Sequence, residues 1–548
     1  MLALRSRAVR AWRPVERFAN GRYAVAALVA AAFAVYGLVS VAWPLDAGRD
    51  LGTYLRVYLQ LFDPEAIYPQ AMVARTPLSP IVIGALLDLG GTVAEIALAV
   101  LYALSVLAWW TVGRRLGTAA GVATAVGLLA FPGYVMLFHR LSTDVLLAAA
   151  FAFTAVLVAR AAERPTAGRA AALGAAVAAL VLVRPSSQVF LMLGLVPLFA
   201  AGAWRQRLVR TAAFAAAAVA PLAAWAVHNG LRFDDYSVAR GAGVTVPFFR
   251  AFVNDKIVSP ENGPASRELA RAVERRLLTR EPYRSYDIDL EEFFSSGSAR
   301  MHEDFIGLSD RTWGWDDDYA HVAAAGREAV RAHPWTYLRG VARDIGVLLR
   351  APLLLDVGAG REENGSGRPS EPETIVVNGR RLPKPTEGEP IPAARQSGFV
   401  STPDGSVQEV WTSPTEHHIE FRDPADAARA ARIDRRIGEL FDAFPDRGGS
   451  MSLRRALNAA SRIYPRSIIL LLVGAVALAL RRPRGWPTPA VLAGSALLLG
   501  VVTMLGVFPV PEYLVPVAPA FVLLAAAGLL GERTARHASP WTDRNAAC

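Results

Sequence analysis

The sequence predicts an all-α polytopic membrane protein of about ten transmembrane helices, with a mixed, mainly helical extracytoplasmic region. Three observations carry this. Hydrophobic residues make up 53% of the 548-residue chain and charged residues only 19%, with a mean hydropathy of +0.29. The apolar residues are gathered into long Ala/Leu/Val runs of membrane-spanning length. Arginine clusters separate those runs at every second connection, as expected when basic residues stay on the cytoplasmic side. This composition excludes a disordered chain and is foreign to a soluble enzyme. The net charge of +10 therefore reads as topology, and no nucleic-acid partner is expected. The single cysteine, Cys548, makes neither an internal disulfide nor a thiolate metal cluster.

Taken in order, residues 1–22 form a basic cytoplasmic N-terminus with Arg5, Arg7, Arg10, Arg13, Arg17 and Arg22. The run 23–44 is too long for a signal-peptide core and is read as a retained span. A first outer loop, 45–91, follows. Spans are then expected near 92–113, 118–138, 142–160, 169–183, 186–203 and 209–229, closing a transmembrane module over 23–230. Arg114 and Arg115, then Glu163, Arg164 and Arg169, then Arg205, Arg207 and Arg210 mark the cytoplasmic turns. A large extracytoplasmic region covers 231–465. Three last spans lie near 466–480, 487–508 and 511–530, within a C-terminal module 466–530, and the tail 531–548 returns inside with Arg533 and Arg536. The segments 77–89 and 333–355 are expected to lie along the membrane surface, the first too short to cross and the second carrying Arg339, Arg343, Asp344 and Arg350. In the outer region, 264–294, 319–350 and 423–444 have helical patterning. Residues 358–405 read as loop, interrupted by a hairpin signal at Asn378-Gly379.

This topology brings a small set of polar groups to the outer membrane face: Asp46 and Asp50, His139 and Arg140, Asp144, Arg184, and His228 with Asn229. Charges at a membrane edge are costly unless hydrated or paired. Carboxylates beside an arginine suit a phosphate-bearing substrate. The guanidinium forks onto phosphate oxygens, and an aspartate serves as general base toward a hydroxyl. Plainer readings stand beside these. Arg184 would end a helix and snorkel, Asp144 would cap one, Asp50 would be a solvated loop acid, and His228 a structural interfacial group. The aromatic-acidic stretch Trp313 to Tyr319 would stack a sugar or form a local core. Glu416-His417-His418 is a poor metal motif, since adjacent strand residues face opposite sides. No phosphate loop, zinc-protease motif or nucleophile elbow is present.

The order of features resembles the GT-C superfamily of polytopic glycosyltransferases, the group with protein O-mannosyltransferases and the lipid A aminoarabinose transferase. Asp50-Leu-Gly-Thr-Tyr54 is similar to the family's acid-x-x-x-Tyr pattern, with Leu51 where a second acid is common. Arg75-Thr-Pro77-Leu-Ser-Pro80, Gly113-Arg-Arg-Leu-Gly117, Ser142-Thr-Asp144, Val183-Arg184-Pro185 and Trp225-Ala-Val-His-Asn229 resemble successive family segments. Pro511-Glu-Tyr-Leu-Val-Pro516 resembles another, with Glu512 where arginine is common. The resemblance implies a sugar transferred, with inversion, from a polyprenyl-phosphate donor to an extracytoplasmic glycan, lipid or protein acceptor at the plasma membrane. It implies Asp50 and Asp144 as catalytic residues. Asp46, Tyr54, Arg75, His139, Arg140, Arg184, His228 and Asn229 would bind substrate. It implies no particular cofactor, and leaves a divalent cation open, since some members of the family depend on a metal and others do not. A lipid-linked-glycan flippase and a non-catalytic envelope assembly protein are the competing functions.

Overall fold

The computed structural model describes residues 14–353, 374–377, 380–383, 402–412, 417–445 and 448–532. The arginines up to Arg13, most of the 358–405 segment, Asn378-Gly379 themselves, Glu416, the Arg533–Arg536 tail and Cys548 lie outside them. The chain is a helical multi-pass membrane protein. Among the described residues six helical segments are long and apolar enough to cross a bilayer: Ala24–Ala42 (α1), Gly91–Arg114, Thr143–Glu163, Trp204–Phe233, Met451–Arg481 and Pro487–Gly506.

The other expected spans are built from shorter apolar pieces, and proline explains where they break. Thr118–Leu129 stops before Pro132 opens the six-residue Pro132–Leu137 helix. After Ala167–Val183, Pro185 opens a 3₁₀ stretch to Gly194 that leads into Leu195–Phe199. Pro511–Tyr513 is a 3₁₀ turn, and Pro519 opens the last helix, Pro519–Leu530. A proline has no N–H to give the preceding turn but fits the first helical position. Each apolar run is thus present, yet three are not single rods.

Small residues set the packing of the rods. In Ala167–Val183 a Cβ on Gly174 would lie 2.2 Å from the carbonyl oxygen of Phe214, so only glycine lets this helix meet Trp204–Phe233 backbone to backbone. The segment 45–91 supplies β1 (Asp46–Ala47), α2 (Leu51–Gln60), α3 (Pro69–Ala74) and α4 (Leu78–Asp88). α4 occupies the short apolar segment 77–89. We number the next helices α5 (Gly91–Arg114), α6 (Thr118–Leu129) and α7 (Pro132–Leu137), followed by β2 (Arg140–Leu141), α8 (Thr143–Glu163), α9 (Ala167–Val183) and α10 (Trp204–Phe233).

The segment 231–465 is mainly helical among its described residues, including Pro264–Arg276, Ala299–Trp313, Ala320–Ala332, Pro334–Arg350 and Pro424–Asp442. Its strands form two antiparallel pairs, Thr374–Val377 with Arg380–Pro383 and Val407–Trp411 with His417–Phe421. The first is the hairpin expected around Asn378-Gly379. Two buried arginines pin this region. Arg250 bonds Asp255 and Asp344, each at 3.0 Å by its closest contact, and donates to the Met504 carbonyl. The acidic member Asp344 sits on Pro334–Arg350, so this amphipathic helix packs against the rest of the protein through a charged anchor as well as through Tyr337, Val341 and Leu348. Arg240 reaches Asp235 and Asp310 at 3.0 and 3.2 Å, with the Trp315 ring 3.8 Å from its guanidinium carbon. The Trp313–Tyr319 stretch is therefore a local core around Arg240, not an open aromatic platform.

Candidate active site

The loop after α1 reaches the start of α8 through a minimal parallel strand pair, Asp46 opposite Arg140 and Ala47 opposite Leu141. The Asp46 N–H donates to the His139 carbonyl at 2.9 Å, and Gly48 N–H to Leu141 at 3.1 Å. A Cβ on Gly48 would sit 2.4 Å from the Ser142 Cβ, so the two segments meet this closely only with glycine there. Two residues later Asp50 adopts a left-handed conformation (φ 59°) as it caps α2. Aspartate tolerates this region better than most side chains, and such outliers concentrate at functional sites.

Helix α2 explains the Asp50-x-x-x-Tyr54 spacing, because residues four apart share a face. Arg75 leaves the end of α3 in an extended conformation and joins the two. Its guanidinium lies 3.5 Å from the Asp50 carboxylate and 5.2 Å from the Tyr54 ring centre. Burial raises the Tyr54 hydroxyl above the usual phenol range against the pull of Arg75, so it remains a neutral donor. Glu303, from the outer region, acts on Arg75 electrostatically.

Asp144 enters from the first turn of α8, where an acid also suits the helix dipole. Arg184 enters from the end of α9, held extended by the following Pro185. The two form an ion pair, and both side chains are largely buried. Ser142 and Asp144 do not cap α8 by a side-chain hydrogen bond. Pairing with Arg184, rather than helix capping, is what Asp144 does here.

Residues not proposed from the sequence as site members close the cluster. Arg49 bonds the buried Glu512 at 2.7 Å and the Tyr513 hydroxyl at 3.2 Å. Arg140 lies 3.9 Å from the other Glu512 oxygen. The Tyr513 ring is shared by Arg49 and Arg184, at 5.5 and 5.2 Å. Arg49 adjoins Asp50, and the Pro511–Glu–Tyr segment was visible. Their pairing was not, because 463 residues separate the partners.

Asp50, Asp144, Arg75, Arg140, Arg184 and Tyr54 thus meet in one continuous network. Asp46 contributes mainly backbone, its carboxylate accepting from the Ala47 N–H at 2.8 Å. His139 lies behind the site, buried, with its ring stacked 4.1 Å from that of Tyr36. His228 and Asn229 make their contacts elsewhere. His228 stacks on Trp225 at 4.9 Å, and Asn229 donates to the Ser237 carbonyl at 3.0 Å. Among the described residues no group of three or more His, Cys, Asp or Glu could hold a cation. The network's acids Asp50, Asp144 and Glu512 each face a guanidinium.

Residues 75–228 match the family model of dolichyl-phosphate-mannose-protein mannosyltransferases. The matched stretch begins at Arg75, ends at His228, and contains Asp144 and Arg184. It covers the motifs from Arg75 to His228 that resemble the GT-C glycosyltransferases, and leaves Asp50–Tyr54 and Pro511–Pro516 outside the match. Among solved structures, ArnT from Cupriavidus metallidurans bound to undecaprenyl phosphate aligns at 13% identity, over 93% of this chain and 78% of that one, with a TM-score of 0.31. Its apo form aligns at 13% identity over 92% and 77%, with a TM-score of 0.30. Scores this low add nothing further about this chain. No curated protein matches it.

Proposed function

We propose that the protein is a membrane glycosyltransferase. It would move a sugar from a polyprenyl-phosphate donor to an extracytoplasmic glycan, lipid or protein acceptor. The observation that carries this is one juxtaposition. Asp50, with its side chain 47% exposed, lies beside Arg75, in the same network as the Arg184–Asp144 pair. An accessible carboxylate is thereby set near guanidinium groups suited to a phosphodiester. The matched family supports the donor class.

In the proposed reaction Asp50 takes the proton of the acceptor hydroxyl. The hydroxyl oxygen attacks the anomeric carbon from the face opposite the phosphate, so the new glycosidic bond forms as the bond from carbon to phosphate oxygen breaks, with inversion. Arg184 stabilises the charge left on the polyprenyl phosphate. Placement and charge stabilisation are the two sources of acceleration. The network end of the bundle faces outside, with the segment 231–465 on the acceptor side and the termini in the cytoplasm. A flippase is less well supported, because the charges gather at helix ends rather than at mid-span.

The test is consumption of a panel of polyprenyl-phosphate pentoses and hexoses by purified protein with native membrane extract. Asp50→Asn should abolish consumption while the protein still inserts and folds. Full activity of Asp50→Asn would remove this residue from the mechanism. Movement of a labelled lipid-sugar across vesicles without a new glycosidic bond would favour the flippase.

A further inference from the structure

Helix α8 carries Asp144 at one end and Glu163 at the other, 21 residues in all, which places its ends about 30 Å apart. At the far end, α8, α9 and the end of α5 enclose a cavity of about 480 Å³. Its polar lining is Arg115, Arg160, Glu163, Arg164 and Arg169. Four guanidinium groups against one carboxylate leave +3 (4 − 1) in this cavity.

The arginines divide into two pairs. Arg115 is ion-paired with Glu163. Arg169 donates to the carbonyls of Arg160 and Arg164 at 3.0 and 3.2 Å, tying off the last turn of α8. These two hold the walls. The side chains of Arg160 and Arg164 have no hydrogen-bond or ion-pair partner among the described residues, and both residues are exposed at the mouth. Leu157, Gly168 and Ala172 complete the lining, so the cavity joins a charged side to an apolar flank.

We propose that this cavity binds the head group of an anionic phospholipid. The phosphodiester would be held by Arg160 and Arg164, and the acyl chains would follow Leu157 and Ala172. Unpaired guanidinium groups bind phosphate oxygens as a fork, and basic pockets between helices at the membrane edge suit anionic lipid head groups. A free phosphate would share the charged side but would gain nothing from the apolar flank. The proposal does not depend on the reaction assigned to the opposite end.

The test compares the wild type with the Arg160→Gln/Arg164→Gln variant in neutral detergent. Each is titrated separately with phosphatidylglycerol, phosphatidylcholine and inorganic phosphate. Melting temperature and retained lipid, by native mass spectrometry, are read. Phosphatidylglycerol should raise the wild-type melting temperature. Its affinity for the double variant should fall roughly 30-fold, from about a factor of five per arginine. Because Arg115 and Arg169 remain, the variant should fold; the single Arg164→Gln protein, with an intermediate loss, provides a second reading. No shift in the wild type, an equal shift in wild type and variant, or an equal shift with phosphatidylcholine would overturn the proposal. An equal shift with inorganic phosphate alone would also overturn it, in favour of a free-anion site.

Discussion

Gly48 offers the sharpest test of how the site is assembled, because it has no chemistry of its own. It sits where the loop bearing Asp50 crosses the strand leading to Asp144. A methyl group there would lie 2.4 Å from the Ser142 Cβ and 2.8 Å from the Leu141 carbonyl oxygen. Ordinary contact begins near 3.4 Å, so Gly48→Ala must push the two segments apart by about 1 Å, from 2.4 to 3.4 Å. Overpacking of this kind costs about 1–3 kcal/mol, small beside the fold of a large helical bundle. A displacement of ~1 Å between a base and a bound reactant, however, lowers turnover by about 100-fold. Gly48→Ala should therefore remain inserted and folded by thermal melting, yet lose about two orders of magnitude in donor consumption. Adding Ser142→Gly removes the nearer clash and leaves the one with Leu141, so partial recovery is expected. Wild-type turnover in Gly48→Ala would refute the view that this strand crossing positions Asp50.

Glu512→Gln should destabilise the protein by about 3 kcal/mol in thermal or denaturant melts, since it leaves the largely buried Arg49 and Arg140 facing a neutral amide. Glu512→Arg should be worse, because three arginines would then converge. In the outer region, burial pushes the Asp310 carboxyl up to about 6, outweighing an Arg240 charge that is shared with Asp235 and Asp318. The folded state then binds a proton that the unfolded state releases near 3.8. Stability contributed here is fully present at low pH and is lost as pH rises from about 4 to about 6, by about 3 kcal/mol. Asp310→Asn should flatten that part of a melting-temperature profile; an unchanged slope would assign it to another group.

Much of this arrangement was legible because it rests on local rules. Apolar runs and arginine clusters located the helices. The acid-x-x-x-Tyr pattern singled out Asp50 and Tyr54, and Arg184-Pro185 marked a helix end. What escaped had non-local causes. Pro132 and Pro519 divide apolar runs that hydropathy alone reads as continuous. Arg49 and Glu512 recognise each other across most of the chain. Lying near the end of a span, as His228 and Asn229 do, does not fix which side of the bundle a residue occupies, and their contacts are to Trp225 and Ser237 instead of the network.

The pairing of Arg184 with Asp144 raises the question of how one guanidinium serves a carboxylate and a donor phosphate together. Geometry permits it. A guanidinium has five N–H donors, and Asp144 is the one hydrogen-bond partner seen for the Arg184 side chain among the described residues, while Tyr513 covers part of its face. Donors remain for phosphate oxygens without releasing Asp144. On the proposed reaction Asp144 would orient the arginine without transferring a proton, whereas Asp50 would carry the proton and hold no phosphate. The two acids should then differ in kinetics. Asp144→Asn keeps a hydrogen-bonding group but loses the ion pair, so Arg184 is left free to turn; donor KM should rise about tenfold or more, from the ~1.5–3 kcal/mol of a charged hydrogen bond. Its kcat should fall less than its KM rises. Asp50→Asn should abolish kcat while donor binding, read by retention of the lipid-linked sugar, stays near wild type. If both variants lost kcat alone, Asp144 would belong to the chemical step and the division of labour drawn from its pairing would be wrong.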